Sequence, residues 1–128
     1  FKIVLSLIGF DSGILRDEHY PAWSLPNRAD PTISACKGDQ TPRTWMRDSC
    51  LWYSQILTRK LGMEKFQRYV TKFKYGNNDL SGGLEDAWVT SSLKISPENQ
   101  TEFLQKLIDH KLPVNKTTYD KTKKIMFI

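Results

Sequence analysis

The sequence is poor in the residues that hold metals or staple small folds, with two cysteines and two histidines among 128 positions. Cys36, Cys50, His19 and His110 show no ligand-like spacing, so no metal site is expected. Two cysteines are too few for a disulfide framework. Cys50 falls beside large apolar residues inside an expected helix, which reads as a buried free thiol, with a single bond to Cys36 as the alternative. No apolar run approaches the ~20 residues of a membrane span, and residues 1–10 lack the basic start and small-residue cleavage site of a signal peptide. The net charge of +5 comes from scattered Lys and Arg, with Lys121, Lys123 and Lys124 the one local cluster. The aromatics fall on apolar faces and do not interleave with a basic stripe, which argues against a nucleic-acid surface.

What is present is the composition of one packed globular domain, 39% hydrophobic and 26% charged. Both ends lie inside apolar runs, Phe1-Lys2-Ile3-Val4-Leu5 and Ile125-Met126-Phe127-Ile128. Natural termini are usually polar and loosely held, so residues 1–128 are expected to be part of a single longer domain truncated at both ends.

Residues 1–10 are apolar and end at Asp11-Ser12-Gly13, the pattern of a buried helix with a glycine stop. Pro21, Pro26, Pro31 and Pro42 mark residues 21–42 as a long irregular loop, and loops of that length tend to line sites. Thr41-Pro42 supplies an N-cap and an N1 proline for one helix running to about Leu61, with Trp45, Ser49, Trp52, Tyr53 and Ile56 as its buried stripe. A second helix is expected over residues 64–73, then turn chemistry over 75–83. Residues 87–95 are ambiguous between strand and irregular chain. Ser96-Pro97 opens another helix closed by Pro113, and Thr117 or Thr118 is the expected cap of a last helix ending near Phe127. The chain is therefore predominantly helical.

Three residues sit oddly in these patterns. Lys2 is enclosed by Phe1, Ile3, Val4 and Leu5, so it either snorkels from a frayed end or loses its proton and becomes a base or nucleophile. Ser49 is the one small hydroxyl on an apolar stripe; it either bonds back to the Trp45 carbonyl or serves as a proton relay. Trp88 reads as a core aromatic, although its indole N–H is a donor suited to orienting an anion. Tyr75-Gly76-Asn77 alone is a turn signal, and the sequons at Asn99 and Asn115 are of a kind common by chance.

Read in order, Phe1-Lys2-Ile3 resembles the end of the S-T-F-K-I helix of class D, oxacillinase-type serine β-lactamases. Asp17-Glu18-His19 resembles that family's D/N-E-H stretch, Ser49-Cys50-Leu51 its S-x-V, Tyr75-Gly76-Asn77 its YGN, and Trp88 through Ser96 its W-x-x-x-x-L-K/R-I-S segment. Leu51 departs from the usual valine. The resemblance implies an α+β fold of the transpeptidase type, of which this chain is the mostly helical part, and a serine two residues before Phe1. It implies hydrolysis of penicillin-type β-lactams by a bacterial protein that is periplasmic or secreted. By the same resemblance Lys2 is a general base carrying carbon dioxide as a carbamate, Ser49 a proton relay and Trp88 the group that holds the carbamate. Leu51, Tyr75 and Asn77 fall at substrate-binding positions, the loop over residues 27–40 forms the rim, and no metal or organic cofactor is implied. A β-lactam-sensing receptor domain and a helical interaction module are the rival functions.

Overall fold

A computed structural model describes every residue except Arg28, Asp86, Ser91, Phe127 and Ile128 and the side chain of Thr90. Helix α1 (Lys2–Ser12) is apolar on all sides through its middle, so it has no face to offer water. Residues Val4 to Phe10 are buried accordingly, and Gly13 ends the helix at φ 85°, with its N–H donating to the Phe10 carbonyl. Helices α3 (Leu51–Leu61) and α7 (Lys116–Met126) pack on α1, and α2 (Pro42–Asp48) packs on α7. Helix α4 (Met63–Lys72) follows α3 directly and buries Phe66 and Val70. Two further helices, α5 (Ala87–Thr90) and α6 (Pro97–Ile108), complete the described residues, which contain no strand beyond a single bridge between Trp23 and Gln40.

The expected helix from residue 42 to 61 is two helices. It breaks because Ser49 adopts a left-handed conformation at φ 56° and ψ 46°, and Cys50 is extended before α3 begins. Ser49 is consequently exposed and not part of a buried stripe, whereas Trp45, Trp52 and Tyr53 are buried as expected. Cys50 is not a free thiol: it is bonded to Cys36, which lies in a single 3-10 turn, Ser34–Lys37. That bond reaches across the long loop, and the break in the helix is what turns Cys50 toward it.

The helix starts follow their caps. Thr41 and Thr44 bond reciprocally at the head of α2, and Ser96 accepts from Asn99 at the head of α6. At α7 the cap is Asn115, whose side-chain oxygen accepts from the Thr118 N–H at 2.9 Å, and not Thr117 or Thr118. The expected end of α7 near Phe127 lies outside the described residues. The ambiguous span after residue 86 resolves as the short helix α5 followed by irregular chain. Glu18 ties the Asp17-Glu18-His19 stretch to the helices, facing Arg43 at 3.8 Å and Lys124 at 3.4 Å.

Asn77 closes the turn that carries α5. Its backbone N–H donates to the Lys94 carbonyl at 2.9 Å, its side-chain N–H to the Ser92 carbonyl at 2.9 Å, and its side-chain oxygen accepts from the Lys94 N–H at 3.0 Å. Gly76 permits this approach twice over: φ is 58°, and a Cβ there would overlap the Lys94 carbonyl oxygen. Gly76→Ala should therefore cost at least about 2 kcal/mol in denaturant unfolding, through positive φ and overpacking together. A variant within about 0.5 kcal/mol of the native chain would contradict that tight approach.

Candidate active site

Lys2 occupies the first position of α1, where the helix emerges from the core, and its Nζ turns toward the junction of α2 and α3. There it donates to the Ser49 Oγ at 2.6 Å and to the Met46 carbonyl at 2.8 Å. The left-handed turn at Ser49 aims the hydroxyl at the lysine. It also leaves the Ser49 N–H bonded to the Trp45 carbonyl at 2.8 Å, so the backbone makes the contact that the side chain was an alternative candidate for. Partial burial holds the Lys2 ammonium below its ordinary value of 10.5, with Asp48 opposing that shift from nearby. The positive end of the α1 dipole acts in the same direction as burial, since it disfavours a cation and favours an anion at this position. A lysine of lowered proton affinity hydrogen-bonded to a hydroxyl is an arrangement that can take and return a proton.

Trp88 is half-buried and stacks on Phe1, the residue before the lysine, at a centroid distance of 5.5 Å and 24° between planes. Phe66 meets its edge at 5.8 Å. Phe1 in turn contacts Tyr75 at 5.4 Å, so an aromatic cluster flanks the start of α1. Among the described residues the indole N–H of Trp88, a donor with no acceptor capacity, makes no hydrogen bond.

Ser49 also belongs to a second feature, an open cleft of about 440 Å³. Ala29 to Ile33 form one wall; Ser49, Leu51, Trp52 and Gln55 form the other. Leu51 is 47% exposed there, an apolar group presented to the cleft. Tyr75 and Asn77 do not line it. Tyr75 is buried, with its hydroxyl donating to the Gln100 side-chain oxygen at 2.9 Å, and Asn77 spends its polar atoms on the turn. Among the six residues singled out from the sequence, Lys2 and Ser49 are brought into contact, Trp88 lies one residue away through Phe1, Leu51 shares the cleft with Ser49, and Tyr75 and Asn77 brace the chain that carries Trp88. Sequence reasoning missed the Met46 carbonyl and Asp48, which have no local signal because an eleven-residue helix and a long loop separate them from Lys2 in sequence.

No cluster of three or more metal-ligating side chains occurs among the described residues. No helix there is long and apolar enough to cross a membrane.

A partly buried lysine at the start of a buried central helix thus meets an exposed serine beside an apolar cleft. The penicillin binding protein transpeptidase domain matches residues 1–128, and the chain belongs to that family. Within it the similarity is to class D β-lactamases. Beta-lactamase OXA-9 of Klebsiella pneumoniae is 44% identical over 127 residues, covering 94% of this chain and 46% of that protein. Beta-lactamase OXA-1 of Escherichia coli is 40% identical over 134 residues, covering 100% and 48%. The solved structure of the class D β-lactamase OXA-427 superposes with a TM-score of 0.94 at 46% identity, covering 98% of this chain and 54% of that one. A class D β-lactamase from Bacillus subtilis gives 0.92 at 36% identity, with 98% and 52% covered. The chain spans about half the length of the curated relatives it matches.

The lowered proton affinity of Lys2 fixes a sign. The unfolded chain, with a lysine near 10.5, binds the proton more tightly than the folded one. Folding stability contributed by Lys2 should therefore rise with pH between the depressed folded value and 10.5. Unfolding free energies measured against pH should show this slope in the native chain and not in Lys2→Met; equal slopes in the two would contradict it.

Proposed function

We propose that this chain forms the lysine-bearing part of a serine β-lactamase of class D that hydrolyses the β-lactam ring of penicillin-type antibiotics. The observation that carries the proposal is the 2.6 Å contact between Lys2 Nζ and Ser49 Oγ, in a chain whose relatives are named β-lactamases. In the longer chain the nucleophile is a serine two residues before Phe1, which adds to the lactam carbonyl carbon while its proton leaves toward the lysine.

Ser49 stands where that proton can be passed on. Its hydroxyl, fixed to Lys2 and open to the cleft, delivers a proton to the lactam nitrogen as the carbon–nitrogen bond breaks. Water then cleaves the resulting ester and frees the serine. Lys2 is the residue that would carry carbon dioxide as a carbamate, which supplies a carboxylate-like base in both halves of the reaction. The residues fit such a group: the amine has lowered proton affinity, the helix start favours an anion, and the Trp88 N–H has no other partner among the described residues. Leu51 and Trp52 give the cleft an apolar wall for the antibiotic's side chain. Asn77 serves the site by holding the segment that bears Trp88, and Tyr75 by packing against Phe1. A disulfide supports a periplasmic or secreted setting, since such bonds persist where the environment is oxidising.

A time course of intact mass for the longer chain mixed with benzylpenicillin, with and without added bicarbonate, tests this. An adduct of the intact antibiotic's mass should form and disappear as the drug is hydrolysed, faster with bicarbonate. A lasting adduct would identify a β-lactam sensor, and no adduct would leave a helical interaction module.

A further inference from the structure

Cys36 meets the segment carrying Ser49 in three ways. Its sulfur is bonded to Cys50, the residue after Ser49, across a sequence separation of 14. Its carbonyl accepts from the Trp52 indole N–H at 2.8 Å. Its sulfur also lies 3.7 Å from the Asp48 carbonyl oxygen. Cys36, Cys50 and Trp52 are buried, so these contacts form a packed joint.

The joint has a different wall of the cleft on each side. Cys36 sits in the turn Ser34–Lys37, which continues directly from the Ala29 to Ile33 wall and is closed by the Gln40 side chain donating to the Ala35 and Gly38 carbonyls. Cys50 stands between Ser49 and Leu51, both on the opposite wall. Ser49 itself holds a left-handed conformation that a non-glycine residue keeps only where its surroundings enforce it. The bond from its N–H to the Trp45 carbonyl secures it from one side, and the Cys36 joint from the other.

We propose that the Cys36 to Cys50 disulfide is a positioning and specificity-determining element: it makes the rim wall and the Ser49 turn one rigid body. It thereby fixes the width of the cleft and keeps the Ser49 hydroxyl on Lys2. The substrate side of this proposal rests on the β-lactamase function above. A rim held at one width selects among acyl side chains by their bulk, and a released rim loses that selection.

The test compares the native longer chain with Cys36→Ala/Cys50→Ala, using benzylpenicillin and the bulkier oxacillin, together with amide hydrogen exchange. The ratio of kcat/KM for oxacillin to that for benzylpenicillin should change at least fivefold. Exchange should accelerate at least tenfold over residues 29–37 and 49–52 while α1 and α4 keep their rates. Equal changes for both substrates, or acceleration spread evenly over the fold, would overturn the proposal, because an ordinary stabilising bond does that. Should the double variant not fold, the same comparison is made after reducing the native disulfide. If the native protein hydrolyses neither antibiotic, the proposed function fails; exchange alone then decides, with local acceleration upholding the joint and uniform or absent acceleration overturning it.

Discussion

Helix α1 has no side it can turn to water, and the arrangement of the other helices follows from that constraint. Val4, Leu5, Leu7 and Ile8 are each 1% exposed or less, and burying side chains of this kind is worth roughly 1.5–3 kcal/mol apiece. The helix must therefore run through the centre, with α3 and α7 closed around it. A charged side chain can be accommodated only where such a helix leaves the core, and Lys2 is at that point. The chemistry of the site is a consequence of this placement. Partial burial lowers the lysine's proton affinity, while its Nζ lies close enough to the surface to reach Ser49.

The second half of the site depends on an interruption. A continuous helix from Pro42 to Leu61 would have carried the Ser49 hydroxyl round with its neighbours; the left-handed turn instead projects it out of the α2–α3 junction toward α1. Trp45 and Tyr53 stack at 5.3 Å across the break, so the two helices share one aromatic core even though the ladder between them is lost. On the far side of Lys2, Asn77 and Gly76 hold the segment bearing Trp88 against Phe1. Two separate pieces of chain thus flank the start of α1, one on Lys2 and one on Phe1, each secured by its own local device.

Much of the scaffold could be read from the sequence because its signals are local. The glycine stop after α1 and the Thr41-Pro42 and Ser96-Pro97 caps are written within a few residues of the elements they define. Lys2, Ser49 and Trp88 stood out individually as residues at odds with their surroundings, and the order of short motifs placed them in one family. What could not be read was non-local. The break at Ser49 has no glycine to announce it, and the Cys36 to Cys50 bond depends on how a proline-rich loop folds back. Amphipathic spacing across residues 45–56 fits a single helix as well as two, so periodicity carried straight through the break. The cap of α7 was misassigned for a smaller reason: Asn115 precedes two threonines of nearly the same capping preference.

The central proposal is that Lys2, whose proton affinity partial burial lowers, takes up carbon dioxide beside Ser49. Carbon-13 NMR of the chain in labelled bicarbonate addresses it most directly. The account predicts a carbamate carbon signal that is present near neutral pH, is lost reversibly on acidification, and is missing from Lys2→Met. A native chain without that signal, or a signal that survives in Lys2→Met, would contradict it.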